Sequence, residues 1–327
     1  MGLSGPVFDA LGREHAHRPI AGDILFLGRQ TTYFTPLDFF ERMRDYGHTV
    51  DTSVIELDRS THNRNGIGRY ITDRSIFRGL GIAADHIKAL DVSDYEGAEV
   101  VCDLNRPLPE GLYGTADFIV DGSTLDNVFN PAQALLNCHA LLRPGGRLLM
   151  INAWNQRDSA YTLCSAAWYF DFFVSNGYTD CRVYLCSFEG ASGNVYALNP
   201  SFMATSTDSP TAPSFGRRPF LVVFAEKSHA DAATVIPTQS HYRSPSEWRV
   251  YGENLACMKM SPRPHLLRSI GRLRPRHVYV GYRWIDGMFQ EPAAPPRIRH
   301  VLLATIRRCL WALTHPTKVI ERVLTWQ

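Results

Sequence analysis

The chain has 327 residues, 45% of them apolar and 20% charged, with a net charge of +2. Such a length buries a full hydrophobic core, and the composition excludes a disordered, collagenous or disulfide-stapled chain. No run of 18 apolar residues is present, which argues against a conventional spanning helix, and residues 1–21 lack the apolar stretch of a secretory signal.

The near-neutral total hides an asymmetry. Residues 228–327 carry 15 Lys and Arg against 6 Asp and Glu, so the C-terminal third is a basic piece behind an acidic front. The expected organisation is an N-terminal arm over residues 1–22, an α/β domain over 23–227 and a basic extension over 228–327. Seven cysteines, with no Cys-x-x-Cys spacing, read as free thiols in a reducing, cytoplasmic setting. They offer no metal-ligand pattern, and no metal is expected.

In chain order, residues 1–22 read as an irregular arm with some packing from Val7, Phe8 and Leu11. Residues 23–28 (DILFLG) form a short apolar strand of the kind found inside a parallel sheet. The spacing predicts a helix over 36–46, capped by Thr35, opened by Pro36, with Leu37, Phe40 and Met43 on one face. A polar loop at 58–69, whose Gly66 and Gly68 read as a flexible turn, and a short helix at 73–80 follow. Strands are predicted at 86–92 and 98–104, ending near Asp91 and Asp103, with a turn at 94–97 between them.

Residues 116–151 are the most informative stretch. A strand over 116–121 leads to Asn130-Pro131, a cap and first helical position. Ala134, Leu135, Cys138, Leu141 and Leu142 then recur at helical spacing. Pro144-Gly145-Gly146 stops the helix, and residues 147–151 form another strand. Strand–helix–strand of this length is a parallel crossover, right-handed in nearly all folds. Beyond it, a helix over 159–176, a strand over 179–188, a long Ser/Thr/Pro-rich loop over 190–217 and a final strand over 219–225 complete the domain. Residues 229–290 read as irregular, 292–296 as a linker and 298–313 as an amphipathic helix flanked by arginines. His139 sits inside the helix beside Leu135 and Leu142 and reads as a packed histidine.

The sequences DFIVDG at 117–122 and LLRPGGRLLM at 141–150 resemble the fourth and fifth strands of class I S-adenosylmethionine-dependent methyltransferases. The resemblance runs from about residue 23 to 227. It implies an α/β, Rossmann-like, mostly parallel seven-stranded sheet with helices on both faces and an antiparallel last strand. The stretches at 90–109 and 170–178 resemble methyltransferase-like proteins of surface-glycan and secondary-metabolite pathways.

The resemblance implies S-adenosylmethionine as cofactor. Asp91, after the second strand, takes the place of the acid that holds the ribose diol, for which a carboxylate suits because it accepts two hydrogen bonds. Asp103 and Leu104 fall where the family contacts adenine, and Asp121 and Gly122 where the fourth strand opens over the methionine part. The alternative for each Asp is a turn cap. The first loop departs from the family: Gly28-Arg29-Gln30-Thr31 is followed by Thr32-Tyr33-Phe34, with one glycine where several are usual. Arg29 is a candidate for the cofactor carboxylate, and Gln30 and Thr31 are candidate donors. The competing reading is a fold that has lost or changed its cofactor site, with Tyr33 or Phe34 filling it.

Methyl transfer requires in-line positioning, and a hydroxyl acceptor adds a general base. Asp126, Asp94 and Glu96 are the candidates. Asn127, Asn152 and Asn155 are candidates to orient an acceptor, and Tyr161 and Trp168 to stack on a ring, each against a structural alternative. The expected function is O-methylation of a small-molecule or saccharide acceptor; the alternative is a repurposed or non-catalytic member of the fold. The basic extension reads first as a packed appendage, second as a peripheral membrane contact through its helix, and last as a nucleic-acid contact, since its arginines are scattered. The oligomeric state is not legible.

Overall fold

The computed structural model describes residues 2–59, 68–154, 160–189, 192–198, 219–229, 233–259, 279–281 and 288–289. The helix expected at 298–313, the linker at 292–296, Asn155, Gly66 and most of the 190–217 loop lie outside these residues.

One sheet runs through the chain. Its strands are β1 (Ile24–Leu27), β2 (Ile87–Asp91), β3 (Val100–Val101), β4 (Ala116–Asp121), β5 (Leu142–Ala153), β6 (Asp180–Glu189), β7 (Ser192–Leu198), β8 (Phe220–Glu226), β9 (Tyr279–Gly281) and β10 (Met288–Phe289). The order is β10-β7-β6-β8-β5-β4-β1-β2-β3, with β9 alongside β7. From β3 to β5 all pairings are parallel, with Phe26 level with Ala89 on one side and Val120 on the other. β8 lies antiparallel between β5 and β6. The arrangement β3-β2-β1-β4-β5-β8-β6 is a doubly wound Rossmann-like sheet closed by an antiparallel strand, as expected. A β6–β7 hairpin carries the sheet beyond seven strands.

Alternation along the strands divides the core in two. Leu25, Leu27, Ile119, Leu148 and Met150 face α4 (Pro131–Leu141), α5 (Ala166–Ser175) and α6 (Pro245–Cys257). Ile24, Phe26, Phe118, Val120 and Leu149 face α1 (Gly5–His17), α2 (Pro36–Asp45) and α3 (Asp73–Gly79). Both faces are covered, which is why the central strands read as continuous apolar runs.

Several local readings hold to the residue. Asn130 caps α4, its side chain accepting from the Gln133 amide. Thr35 and Asp38 form a reciprocal capping box on α2. The buried face of that helix differs from the expected one: Phe39 and Met43 are buried, whereas Leu37 is exposed, because the helix docks on the Phe8–Phe34 cluster through its i, i+4 pair. His139 is indeed packed, with Nδ1 3.1 Å from the Tyr178 hydroxyl, and burial pulls it down to about 4. Cys138, Cys164 and Cys181 are buried free thiols.

Several segments differ from expectation. β7 lies within the expected 190–217 loop, β5 already begins at Leu142 and runs through Pro144-Gly145-Gly146, and α5 begins at Ala166 rather than 159. The irregular arm at the N-terminus is the helix α1, and its stripe of Val7, Phe8 and Leu11 is core. Its Glu14 is bound at 2.9 Å by Arg147 of β5 and at 2.8 Å by Arg182 of β6, all three buried. The strand expected at 98–104 shrinks to two residues, because Asp103 turns the chain by accepting the Asn105 amide at 2.9 Å. The stretch after residue 229, read as irregular, contains α6, started by a Ser244–Glu247 capping box and packed on α5. Among the described residues no helix is long and apolar enough to cross a membrane.

Candidate functional site

In an open parallel sheet, strand order reverses at one point, and the crevice there lies beyond the carboxyl ends of the strands. Here the reversal falls between β1 and β4. Its floor is Gly28, just after β1, and Gly122, just after β4. Thr124 ties the two together, its Oγ donating to the Leu27 carbonyl at 2.5 Å.

Gly28 has φ +69°, a conformation that disfavours any β-carbon. A Cβ placed on it would stand 3.3 Å from Asp91 Oδ2 and 3.4 Å from Thr124 Oγ1. The sheet therefore brings Gly28, Asp91 and Thr124 to one point. Asp91 Oδ1 is held by the Val92 amide at 2.6 Å, which orients the carboxylate. Its backbone carbonyl accepts from the Cys102 amide at 2.8 Å, so the turn with Asp103 follows directly alongside. Asp103 is held below the usual carboxylate range by hydrogen bonds from Asn105, and Leu104 is buried in the core.

The first loop is committed internally. The Arg29 guanidinium reaches both carboxylate oxygens of Glu99, at 2.7 and 2.8 Å, and the Gly97 carbonyl at 3.1 Å. The Gln30 amide nitrogen donates to the Leu27 and Gly28 carbonyls at 2.7 and 3.1 Å. Its backbone amide is fixed by buried Asp73 at 2.8 Å. A Cβ built on Gly122 would overlap the Gln30 amide oxygen, so the Gln30 side chain occupies the room that Gly122 leaves. The Thr31 carbonyl accepts from Leu3 at 2.8 Å, and the Gly122 carbonyl from Gly2 at 3.3 Å, which lays the start of α1 across the crevice. Phe34 points into the α1 core and Tyr33 is exposed; Gln30, not an aromatic, is the side chain packed over Gly122.

At the carboxyl ends of β4 and β5 lies a second, buried polar group. Asp121 accepts the Thr124 amide at 2.7 Å and the Asn152 side chain at 2.9 Å, and burial pushes its carboxyl up to about 6. Asp126 is 1% exposed, and burial raises it too. Its oxygens accept from Ser123 Oγ at 2.7 and 2.8 Å and from the Ala153 amide at 2.8 Å. Ser123 sits at φ +86°, the non-glycine residue of the described chain in that region. Asn152 Oδ1 is buried there without a hydrogen-bond partner, and the Tyr169 hydroxyl is buried beside the Cys164 thiol. Asp94 and Glu96 are in the turn after β2, apart from this group, with Asp94 exposed. Asn127 is exposed beside Asp126, Asn152 is buried, and Tyr161 stands exposed at the rim opposite Phe129.

Ser123 and Thr124 escape a reading by residue type. The Ser123-x-x-Asp126 spacing, the pattern of a local cap, was the available signal for the first. Nothing in the sequence places Thr124 against Leu27.

No protein-family model matches the chain, and no curated protein matches it. Among the solved structures similar to it are methyltransferases. They include a 1,6-didemethyltoxoflavin-N1-methyltransferase from Burkholderia thailandensis, with 15% identity, a TM-score of 0.32 and coverage of 68% of this chain and 76% of that one. A methyltransferase from Archaeoglobus fulgidus shows 11% identity and a TM-score of 0.33 over 68% and 93% of the two chains. A putative methyltransferase from Bacillus halodurans shows 10% identity and a TM-score of 0.32 over 67% and 98%. The strand order, rather than these similarities, defines the fold as Rossmann-like.

Proposed function

We propose that the crevice between β1 and β4 binds S-adenosylmethionine and that the chain is a methyltransferase for a small-molecule or saccharide acceptor, with oxygen as the methylated atom. The observation that carries this reading is the meeting of the Asp91 carboxylate with the positive-φ Gly28 at the switch point. Asp91 accepts the two ribose hydroxyls, Asp103 and Leu104 flank the adenine, and Gly28 lets the backbone approach the ligand. Thr31 lies toward the methionine end, with Gly122 beneath the Gln30 side chain and Asp121 buried behind it; Arg29 and Gln30 shape the loop. When bound, the cofactor would supply a methyl group for in-line displacement, departing as S-adenosylhomocysteine, and the acceptor hydroxyl would lose its proton to a carboxylate at the same edge. Asp94, in the exposed turn, meets an incoming acceptor without rearrangement, with Glu96 beside it; Asp126 is already held by Ser123 and Ala153.

A second reading is favoured by Gln30 and by the Gly2–Leu3 segment. Both occupy the crevice, as expected of a fold reused for binding or for another reaction. Calorimetric titration with S-adenosylhomocysteine decides between them. Micromolar binding abolished by Asp91→Ala supports the methyltransferase reading; no heat at millimolar ligand overturns it in favour of the second.

A further inference from the structure

Two aromatic rings stand in solvent at the carboxyl edge of the sheet. Phe129, in the connection between β4 and α4, is 84% exposed, and Tyr161, between β5 and α5, is 76% exposed. They meet each other, with ring centroids 6.5 Å apart and planes inclined at 75°. Large apolar groups left paired and uncovered beside a crevice are the kind of surface that a ligand covers.

Neither ring hangs on a free loop. The Tyr161 and Thr162 amides both donate to the Asp126 carbonyl, at 2.8 and 3.2 Å. Asp126 is fixed in turn by Ser123 and by the Ala153 amide at the end of β5. On the other side, the Asn130 amide beside Phe129 donates to Asn105 Oδ1 at 2.9 Å, and the Asn130 side chain caps α4. Phe129 is thus set between the turn after β3, which carries Asp103 and Leu104, and the loop after β5. A cofactor seated over Gly28 and Asp91 covers the ends of β1 and β2. The ends of β4 and β5, with the two rings, are left to the acceptor.

The polar groups around the rings decide what they take. Asn127 Nδ2 is spent on the Ser123 carbonyl and on Asp126 Oδ1, and the Asp126 carboxylate on Ser123 and Ala153. These groups are committed within the protein, so the rim presents ring faces. A polyol asks instead for donors and acceptors directed at each hydroxyl. Two rings at 75° form a corner in which a third ring stacks on one and meets the edge of the other, the arrangements that aromatic pairs prefer. Proton chemistry points the same way. Asp126, the carboxylate tied to the Tyr161 loop, is already satisfied and gives a hydroxyl held there little help. A phenol, with a pKa of about 10, ionises far more readily than an aliphatic hydroxyl and needs the least.

We propose that Phe129 and Tyr161 are the acceptor platform of the methyltransferase site, and that the acceptor is an uncharged phenol with its ring in the corner between theirs. The phenolic oxygen loses its proton to Asp94 at that edge and forms the new carbon–oxygen bond as the methyl carbon–sulfur bond of the cofactor breaks. The role of acceptor rests on the methyltransferase reading, whereas occupation of the rings is measured without it.

The test titrates 2-naphthol into the full chain, with methyl glucoside as the saccharide control, and follows isotope-labelled phenylalanine and tyrosine rings by NMR. Saturable shifts at Phe129 and Tyr161 are expected with 2-naphthol, together with a dissociation constant at least tenfold below that of the glucoside. Phe129→Ala and Tyr161→Ala are each expected to weaken 2-naphthol about tenfold, the worth of one lost ring contact, while Tyr161→Phe retains binding. S-adenosylhomocysteine binding, read by calorimetry, stays unchanged in all three variants. The shifts on the wild-type rings decide the matter if an alanine variant does not fold. Tighter binding of the glucoside, shifts that spare both rings, or 2-naphthol binding that survives both alanine variants each overturns the platform. Absence of S-adenosylhomocysteine binding overturns the methyltransferase reading, and with it the role of acceptor, even where 2-naphthol still sits on the rings.

Discussion

Asn152, on β5, donates its side-chain amide to Asp121 at the end of β4 over 2.9 Å, and both residues are sealed from water. One hydrogen bond and two backbone amides do not repay the loss of hydration, so the Asp121 carboxyl is pushed up to about 6. A carboxyl whose folded value lies above its unfolded one stabilises the fold fully below about pH 4, and that contribution is lost as pH rises through about 6. The stability difference between wild type and Asp121→Asn should therefore shrink by about 2 kcal/mol from pH 4 to 6.5, the larger part of the whole effect at about 1.4 kcal/mol per pK unit. Urea denaturation across that range measures it. A pH-independent difference would show that Asp121 titrates normally.

Breaking the α1 anchor should be expensive. Glu14→Ala leaves Arg147 and Arg182 charged and buried with one carboxylate fewer. Removal of one partner from a buried pair costs about 3–5 kcal/mol. The expected result is a large fall in the urea midpoint with an unchanged slope. A loss below about 1 kcal/mol would mean that water reaches the guanidinium groups and α1 is loosely docked.

Ser123 allows two opposing effects to be separated. Its hydroxyl serves both oxygens of Asp126, while its φ of +86° strains an L-residue. Ser123→Ala keeps the strain and loses the hydrogen bond, at about 1.5–3 kcal/mol. Ser123→Gly loses the same bond and recovers about 1–2 kcal/mol of strain. Thermal denaturation should place the glycine variant above the alanine variant. Equal stability would show that the backbone there is unstrained.

Gln30 and Gly122 should couple. Gly122→Ala drives a methyl group into the Gln30 amide, and Gln30→Ala makes the room for it. Gly122→Ala alone is expected to destabilise by about 1–3 kcal/mol, as overpacking does. The double variant should regain most of that overpacking cost relative to Gln30→Ala, a coupling visible in a denaturation cycle. Additive effects would mean that Gln30 swings away at no cost. In the methyltransferase reading, Gln30→Gly also tightens S-adenosylhomocysteine binding about tenfold, measured by calorimetry.

What the sequence made legible depended on distance along the chain. β4, the Asn130 cap and the capping box at Thr35 were readable because strand pattern and cap chemistry act within a few residues. The carboxyl-end positions of Gly28, Asp91 and Asp121 followed from strand order. The α1 helix was missed although Val7, Phe8 and Leu11 stand on one stripe, because its anchor lies in Arg147 and Arg182, more than a hundred residues away. The occupation of the crevice by Gln30 was unreadable for a related reason. A glutamine reports nothing of which carbonyls it will reach, and the room beside it is made by a glycine 92 positions further on.

The same anchor bears on how the chain reaches its native state. Glu14 finds its partners 133 and 168 residues downstream. During synthesis α1 leaves the ribosome long before Arg182 exists, so its acid has to remain hydrated while β1 to β4 assemble. Full closure of α1 onto the sheet needs both β5 and β6, and contacts spanning so much chain raise the contact order that slows folding. A ribosome-stalled chain ending before β6 should hold its first seventeen residues open to protease, and release of the full chain should close them in one late step.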